Sequence, residues 1–184
     1  MDTKEQFETV INVCRSLFDN KLKDYGASWR IMRPESITDQ LFIKAKRIRT
    51  LETKGAGLID EGVREELMAI VNYGIIGLIQ LQLGFSYTVD IDNRRALELY
   101  DFHMNRTKEL MYAKNHDYDE AWRDMRITSL TDLILQKIYR TKQIETNKGL
   151  TLVSEGVDAN YSDMINYSLF SLIKYEIEEK NCPD

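Results

Sequence analysis

The sequence predicts an all-α fold: a six-helix, bundle-like domain built from two tandem three-helix repeats with pseudo-twofold symmetry. Three observations carry this expectation. Apolar residues recur at helical spacing, and no strand-like alternation persists. Proline occurs only at Pro34 and Pro183, so little interrupts helix formation. The chain also repeats itself without a gap at a constant offset of 93 residues. Asp24, Tyr25, Trp29, Arg30, Met32, Arg33, Ser36, Thr38, Asp39, Lys44, Arg47, Glu52 and Thr53 return as Asp117, Tyr118, Trp122, Arg123, Met125, Arg126, Ser129, Thr131, Asp132, Lys137, Arg140, Glu145 and Thr146. Such an echo marks a tandem duplication, and residues kept in both copies can be weighed against residues kept in one.

Each element follows from local pattern. Phe7, Val10, Ile11, Cys14, Leu17 and Phe18 fall on one face of a first helix, answered in the second copy by Tyr100, His103, Met104, Thr107, Leu110 and Met111. A polar and aromatic loop follows at 24–29 and again at 117–122. Ser36-x-x-Asp39 and Ser129-x-x-Asp132 have capping-box spacing for a second helix, with Asp in place of the usual Glu. Gly55-Ala56-Gly57 and Asn147-Lys148-Gly149 end that helix. A third, longer helix is predicted over about 60–83 and about 155–179, where the offset becomes 94 because the second copy has gained one loop residue. The repeats thus span about 5–83 and about 92–180, joined by a short, partly apolar connector at about 84–91. A three-helix half of about 75 residues buries only a marginal core. The halves are therefore expected to pack through their third helices into a single domain over 1–184.

Composition narrows the function classes. Hydrophobic residues make up 43% and charged residues 30%, as in soluble globular proteins. A net charge of −5 argues against broad binding to nucleic-acid backbones. The N-terminus has no basic-then-apolar run, so no secretory signal is expected. The most apolar stretch, Val63 to Leu83, carries Arg64, Glu65, Glu66 and Asn72, which argues against a membrane span. Two lone cysteines, Cys14 and Cys182, fit a reducing cytoplasm. Oligomeric state is left open, a homodimer included. No Ser/His/Asp or Cys/His arrangement, phosphate-cradling glycine loop or zinc spacing is present.

The repeated residues supply the candidate site. Ile37, Leu41, Lys44, Ile48 and Leu51 form an inward stripe, matched by Leu130, Ile134, Lys137, Thr141 and Ile144, so a lysine interrupts an apolar face twice. A buried ammonium needs a carboxylate or a phosphate. Lys44 and Lys137 either make structural ion pairs or bind phosphate, with Arg47 and Arg140 one turn on as helpers. On the third helix Glu61, Glu65, Ala69 and Asn72 share a face, as do Glu155, Ala159, Asp163 and Asn166. Glu61, Glu65, Glu155 and Asp163 are candidate Mg²⁺ ligands, or else acidic residues favouring a helix N-terminus. Asn72 and Asn166 sit in apolar runs and must find partners, either across the packed third helices or on a ligand. Tyr25, Trp29, Tyr118 and Trp122 can stack on a base or staple their loops to the core. His103, aligned with Val10, reads as a core or boundary residue, and His116 as exposed.

These residues resemble the pattern of the nucleotide modification associated domain 1 family. The similar elements are Asp24-Tyr25-Gly26…Trp29, Asp39…Lys44…Arg47-Ile48 and Asn72-Tyr73, recurring as Asp117-Tyr118…Trp122, Asp132…Lys137…Arg140 and Asn166-Tyr167, with Asp119 opposite Gly26. The resemblance covers nearly the whole chain as two copies. It implies a setting in nucleotide or DNA-base modification, without an established reaction. More weakly, the helical plan and acidic third helix resemble all-α nucleoside triphosphate pyrophosphatases, departing from them at Ala69, Asn72 and Ala159. The expected ligand is a nucleotide or other phosphorylated small molecule, with Mg²⁺-dependent nucleotide hydrolysis as one form of the activity. The alternative is a noncatalytic helical scaffold, in which Lys44 and Lys137 are tied to internal carboxylates.

Overall fold

In the computed structural model, which describes residues 1–55 and 62–181 with side chains as far as Ile177, the chain forms α1 (Thr3–Tyr25), α2 (Pro34–Lys54), α3 (Val63–Leu83), α4 (Asn93–Tyr118), α5 (Ile127–Thr146) and α6 (Val157–Asn181). Short 3₁₀ turns, Ser28–Ile31 and Ala121–Asp124, lead into α2 and α5, and no strand occurs among the described residues. Asp2 opens α1 by accepting from the Glu5 N–H at 2.8 Å while Glu5 reaches back to the Asp2 N–H at 2.9 Å. Asp92 caps α4 through the Arg95 N–H. α1 and α4 run on through Tyr25 and Tyr118, absorbing the start of the loops expected at 24 and 117. The chain then turns at Gly26 (φ 67°) in the first copy. In the second, Asp119 and Glu120 take φ 48° and 53° instead, a left-handed conformation that Asp tolerates better than most residues.

The expected capping boxes do not form. α2 begins at Pro34, two residues before Ser36, because proline at the first helical position presets the backbone; its cap is Arg33, with no side-chain bond. α5 likewise starts at Ile127 behind Arg126. Asp39 and Asp132 are used between the repeats instead. Lys142 Nζ lies 2.5 Å from Asp39, and Arg49 pairs with Asp132. Because position 49 corresponds to 142 and 39 to 132, these are one contact seen twice. The same reciprocity joins Thr38 to Glu145 (2.6 Å) and Thr131 to Glu52 (2.7 Å). It also joins Arg15 to Asp101 and Lys108 to Glu8, both at 2.6 Å, across α1 and α4. Reciprocal pairing of this kind is the mark of a twofold interface.

α3 and α6 form the most extensive interface between the repeats. α2 packs on α3, α5 packs on α6, and α2 meets α5; α1 and α4 pack on the central pair. α3 and α6 approach closely because Gly74 and Gly77 carry no side chain. A Cβ on Gly74 would lie 2.6 Å from Ile165 Cγ1, and one on Gly77 2.7 Å from Tyr161 Cε2. Their counterparts on α6 are the buried Ser168 and Ser171, whose hydroxyls are absorbed by the carbonyls of Met164 and Tyr167. By length and composition α3 could cross a membrane, but 72% of its apolar window is buried inside the protein, so its hydrophobicity serves the core. The connector is pinned by Arg30, which donates to Asp90 at 2.8 and 3.1 Å and to the Gly84 carbonyl at 2.6 Å, while Tyr87 is left exposed.

Candidate functional site

The two inward lysines are both met by carboxylates, but by different ones. In the first repeat Lys44 Nζ lies 3.2 Å from Glu66 Oε2, an ion pair without hydrogen-bond geometry, and Arg47 binds the other oxygen. Glu66 is 1% exposed, so its desolvation is tolerable only with those two cations beside it. The equivalent position in the second repeat is Asn160. There Lys137 turns to Asp163, at 2.6 Å, which stands opposite Ala69. The carboxylate has thus moved one helical turn along the third helix. Lys114 Nζ holds the other Asp163 oxygen at 2.9 Å. Burial is the largest single influence on the Lys114 ammonium and lowers its pKa, but the bond to Asp163 and the charges of Asp163, Tyr167 and Glu155 together raise it above the ordinary lysine value. Arg140, which has no buried glutamate to meet, stays exposed on α5.

Each repeat encloses a cavity of about 310 Å³ at the same place, between its first helix, its 3₁₀ turn and its third helix. The first is lined by Lys21, Tyr25, Trp29, Ala69, Asn72 and Tyr73, among others; the second by the corresponding Lys114, Tyr118, Trp122, Asp163, Asn166 and Tyr167. Tyr25 and Tyr118 are exposed, whereas Trp29 and Trp122 are buried. Trp122 already stacks face to face on Phe170 (4.7 Å, 7°) and carries the Arg123 guanidinium 4.4 Å over its ring. Its ring faces are therefore already covered and not free to stack on a base.

The cavities differ in hydrogen bonding. Asn72 is satisfied internally: its Nδ2 donates to the Cys14 carbonyl at 3.0 Å, and its Oδ1 accepts from the Tyr100 hydroxyl at 2.8 Å. It ties α3 to α1 and α4 rather than setting register against α6. Asn166 is 4% exposed, yet neither its Nδ2 nor its Oδ1 has a hydrogen-bond partner among the described residues. The Trp122 Nε1 is in the same condition. Leaving such a group buried and unpaired costs about 1–3 kcal/mol each. The second cavity is thus lined by two residues, Asn166 and Trp122, whose buried polar atoms are unpaired, together with Lys114 and Asp163.

The other predicted site residues fall elsewhere. Glu65 reaches back to the Gly62 N–H at 2.9 Å and so serves the start of α3. Glu155 is exposed, and Glu61 lies outside the described residues. No three of His, Cys, Asp and Glu converge among the described residues. Asp163, as placed, faces two ammonium groups, a donor set that does not suit a divalent cation. His103 is buried against Gln82 Oε1 (2.7 Å), and burial, with Arg106 nearby, pushes its pKa down to about 4. Cys14 is a core thiol pushed up to about 12 by burial. Sequence reasoning missed Glu66 and Lys114. The signal for Lys114 was present, since Lys21 and Lys114 extend the 93-residue echo by one turn.

Fold and cavities define an all-α tandem-repeat protein with two equivalent but chemically unequal pockets. The chain belongs to the family described as nucleotide modification associated domain 1, which it matches over residues 21–81 and 114–175. The two matched segments begin at Lys21 and Lys114 and each contains one pocket's tyrosines, tryptophan and asparagine. No curated protein and no solved structure matches it. The weaker likeness to all-α nucleoside triphosphate pyrophosphatases finds no support in these matches.

Proposed function

We propose that this protein binds a nucleotide in the second-repeat pocket, with the base edge on Asn166 and Trp122 and the phosphate toward Lys114. The observation carrying this reading is a cavity lined by aromatic side chains, an ammonium group and Asn166, whose buried amide is unpartnered. Family membership supports the nucleotide setting. Tyr118 and Tyr167 line the same cavity and could lie against a flat ring. Lys44 and Arg47 pair with Glu66, and the largely buried Lys137 pairs with Asp163. Lys114 shares Asp163 but its side chain is 46% exposed, which leaves it the cation able to turn toward a phosphate. The reading needs no Mg²⁺ and assigns no hydrolytic step. Thermal-shift measurements with nucleosides and nucleoside mono- and triphosphates, with and without Mg²⁺, test it. Stabilisation by at least one nucleotide, lost in Asn166→Leu, is expected. No stabilisation at millimolar concentration, or equal stabilisation of Asn166→Leu, would remove the pocket from the function.

A further inference from the structure

A groove of about 920 Å³ opens between α4, the end of α3 and the start of α6, and shares no lining residue with the two equivalent pockets. Its counterpart in the first repeat, at Thr9, Val10 and Glu176, holds only about 230 Å³. There Arg64 on α3 pairs with Glu176 on α6 at 3.2 Å. The corresponding residues, Asp158 and Gln82, make no such pair, and Gln82 Oε1 meets His103 Nε2 at 2.7 Å instead. Thr9 and Val13 give way to Phe102 and Arg106, so the second groove gains an aromatic ring and a cation. Phe102, Leu81 and Leu110 stand exposed along it. Arg106 and Asp158, which also line it, make no ion pair among the described residues.

Directly after Gly149, which lines the groove, the chain presents an apolar knob. Leu150 is 75% exposed, and Leu152 and Val153 are exposed almost completely. Neighbouring apolar side chains left this open mark a contact surface. The knob is flanked by the exposed Lys148 and Glu155, one cation and one anion, just as the groove carries Arg106 and Asp158. We propose that two copies of this chain associate through this face, the 150–153 loop of each seated in the groove of the other, with Lys148 set toward Asp158 and Glu155 toward Arg106. A face holding a knob beside a groove is self-complementary, and one twofold axis satisfies both contacts at once. Each chain carries a net charge of −5, so association requires local matching of opposite charges, which these four residues supply. The association does not depend on the nucleotide reading, because the groove and the nucleotide pocket have no lining residue in common.

Sedimentation velocity of the full chain, from micromolar to millimolar concentration, tests this. Wild type is expected to form a dimer whose share rises with concentration. Leu152→Asp on the knob and Phe102→Asp on the groove are each expected to weaken dimerisation by roughly tenfold or more. Both positions are exposed, so the helical circular dichroism of the monomer is expected to stay that of wild type. Arg106→Glu is expected to weaken the dimer as well, and the added change Glu155→Arg to restore it, which damage to folding would not permit. A wild-type chain that stays monomeric throughout overturns the proposal and leaves the groove to a different partner. A dimer undiminished by either aspartate variant places the interface elsewhere and overturns it too. Failure of the double variant to recover overturns the seating of loop in groove.

Discussion

Glu66 is a carboxylate with almost no exposure, held between Lys44 and Arg47 on the neighbouring helix. Breaking such a pair from one side leaves buried charge without compensation, whereas removing one of two cations leaves the other in place. Glu66→Ala is therefore expected to lose about 3 kcal/mol in urea unfolding, and Lys44→Ala clearly less. A loss below about 1 kcal/mol for Glu66→Ala would show the pair to be dispensable. This residue also marks how far a sequence can be read. A lysine in an apolar stripe announces that it needs an anion, so Lys44 and Lys137 were legible. Which anion was not, because a single residue step turns a helix by about 100° and separates Glu65, which caps its own helix, from Glu66, which faces α2. Asp39 and Asp132 were misread for the converse reason: local spacing accounted for them fully, and their real partners lie on the other repeat.

At the scale of elements, the crossing of α3 and α6 sets the distance between the repeats. Gly77 faces Tyr161, whose hydroxyl is within 2.6 Å of Thr38 Oγ1 and donates to the Pro34 carbonyl at 3.1 Å, so the ring has little room to swing aside. Gly77→Val is expected to destabilise the protein by about 1–3 kcal/mol or more through overpacking. Ser171→Ala, which removes only a bond to its own helix, should cost well under that. Equal effects in chemical denaturation would contradict the close approach. The helices themselves were readable from periodicity, and their ends to within a few residues. The glycine–serine correspondence was present at the 94-residue offset, but small residues do not say which neighbour they admit. The N-terminal ends of α2 and α5 were placed too late because Ser-x-x-Asp outweighed Pro34 in the local reading.

The whole molecule is a duplication whose copies hold each other through three reciprocal contacts, with Asp39/Asp132, Thr38/Thr131 and Glu52/Glu145 among the residues kept twice. Much of the echo is thus explained by assembly of the two halves, which chemistry-minded reading of repeated polar residues overlooks. The chemical difference between the repeats lies where the echo breaks: Tyr100 against Phe7, Ala69 against Asp163, Glu66 against Asn160. At the first of these, Tyr100 donates to Asn72, whereas Phe7 has no hydroxyl to offer Asn166, whose amide is unpaired. The most direct test is a crystal structure of the full chain soaked with nucleoside 5′-monophosphates at millimolar concentration. One nucleotide per chain, in the second-repeat cavity beside Asn166 and Lys114, is predicted. Equal occupancy of both cavities, or a nucleotide bound away from Asn166, would contradict the account.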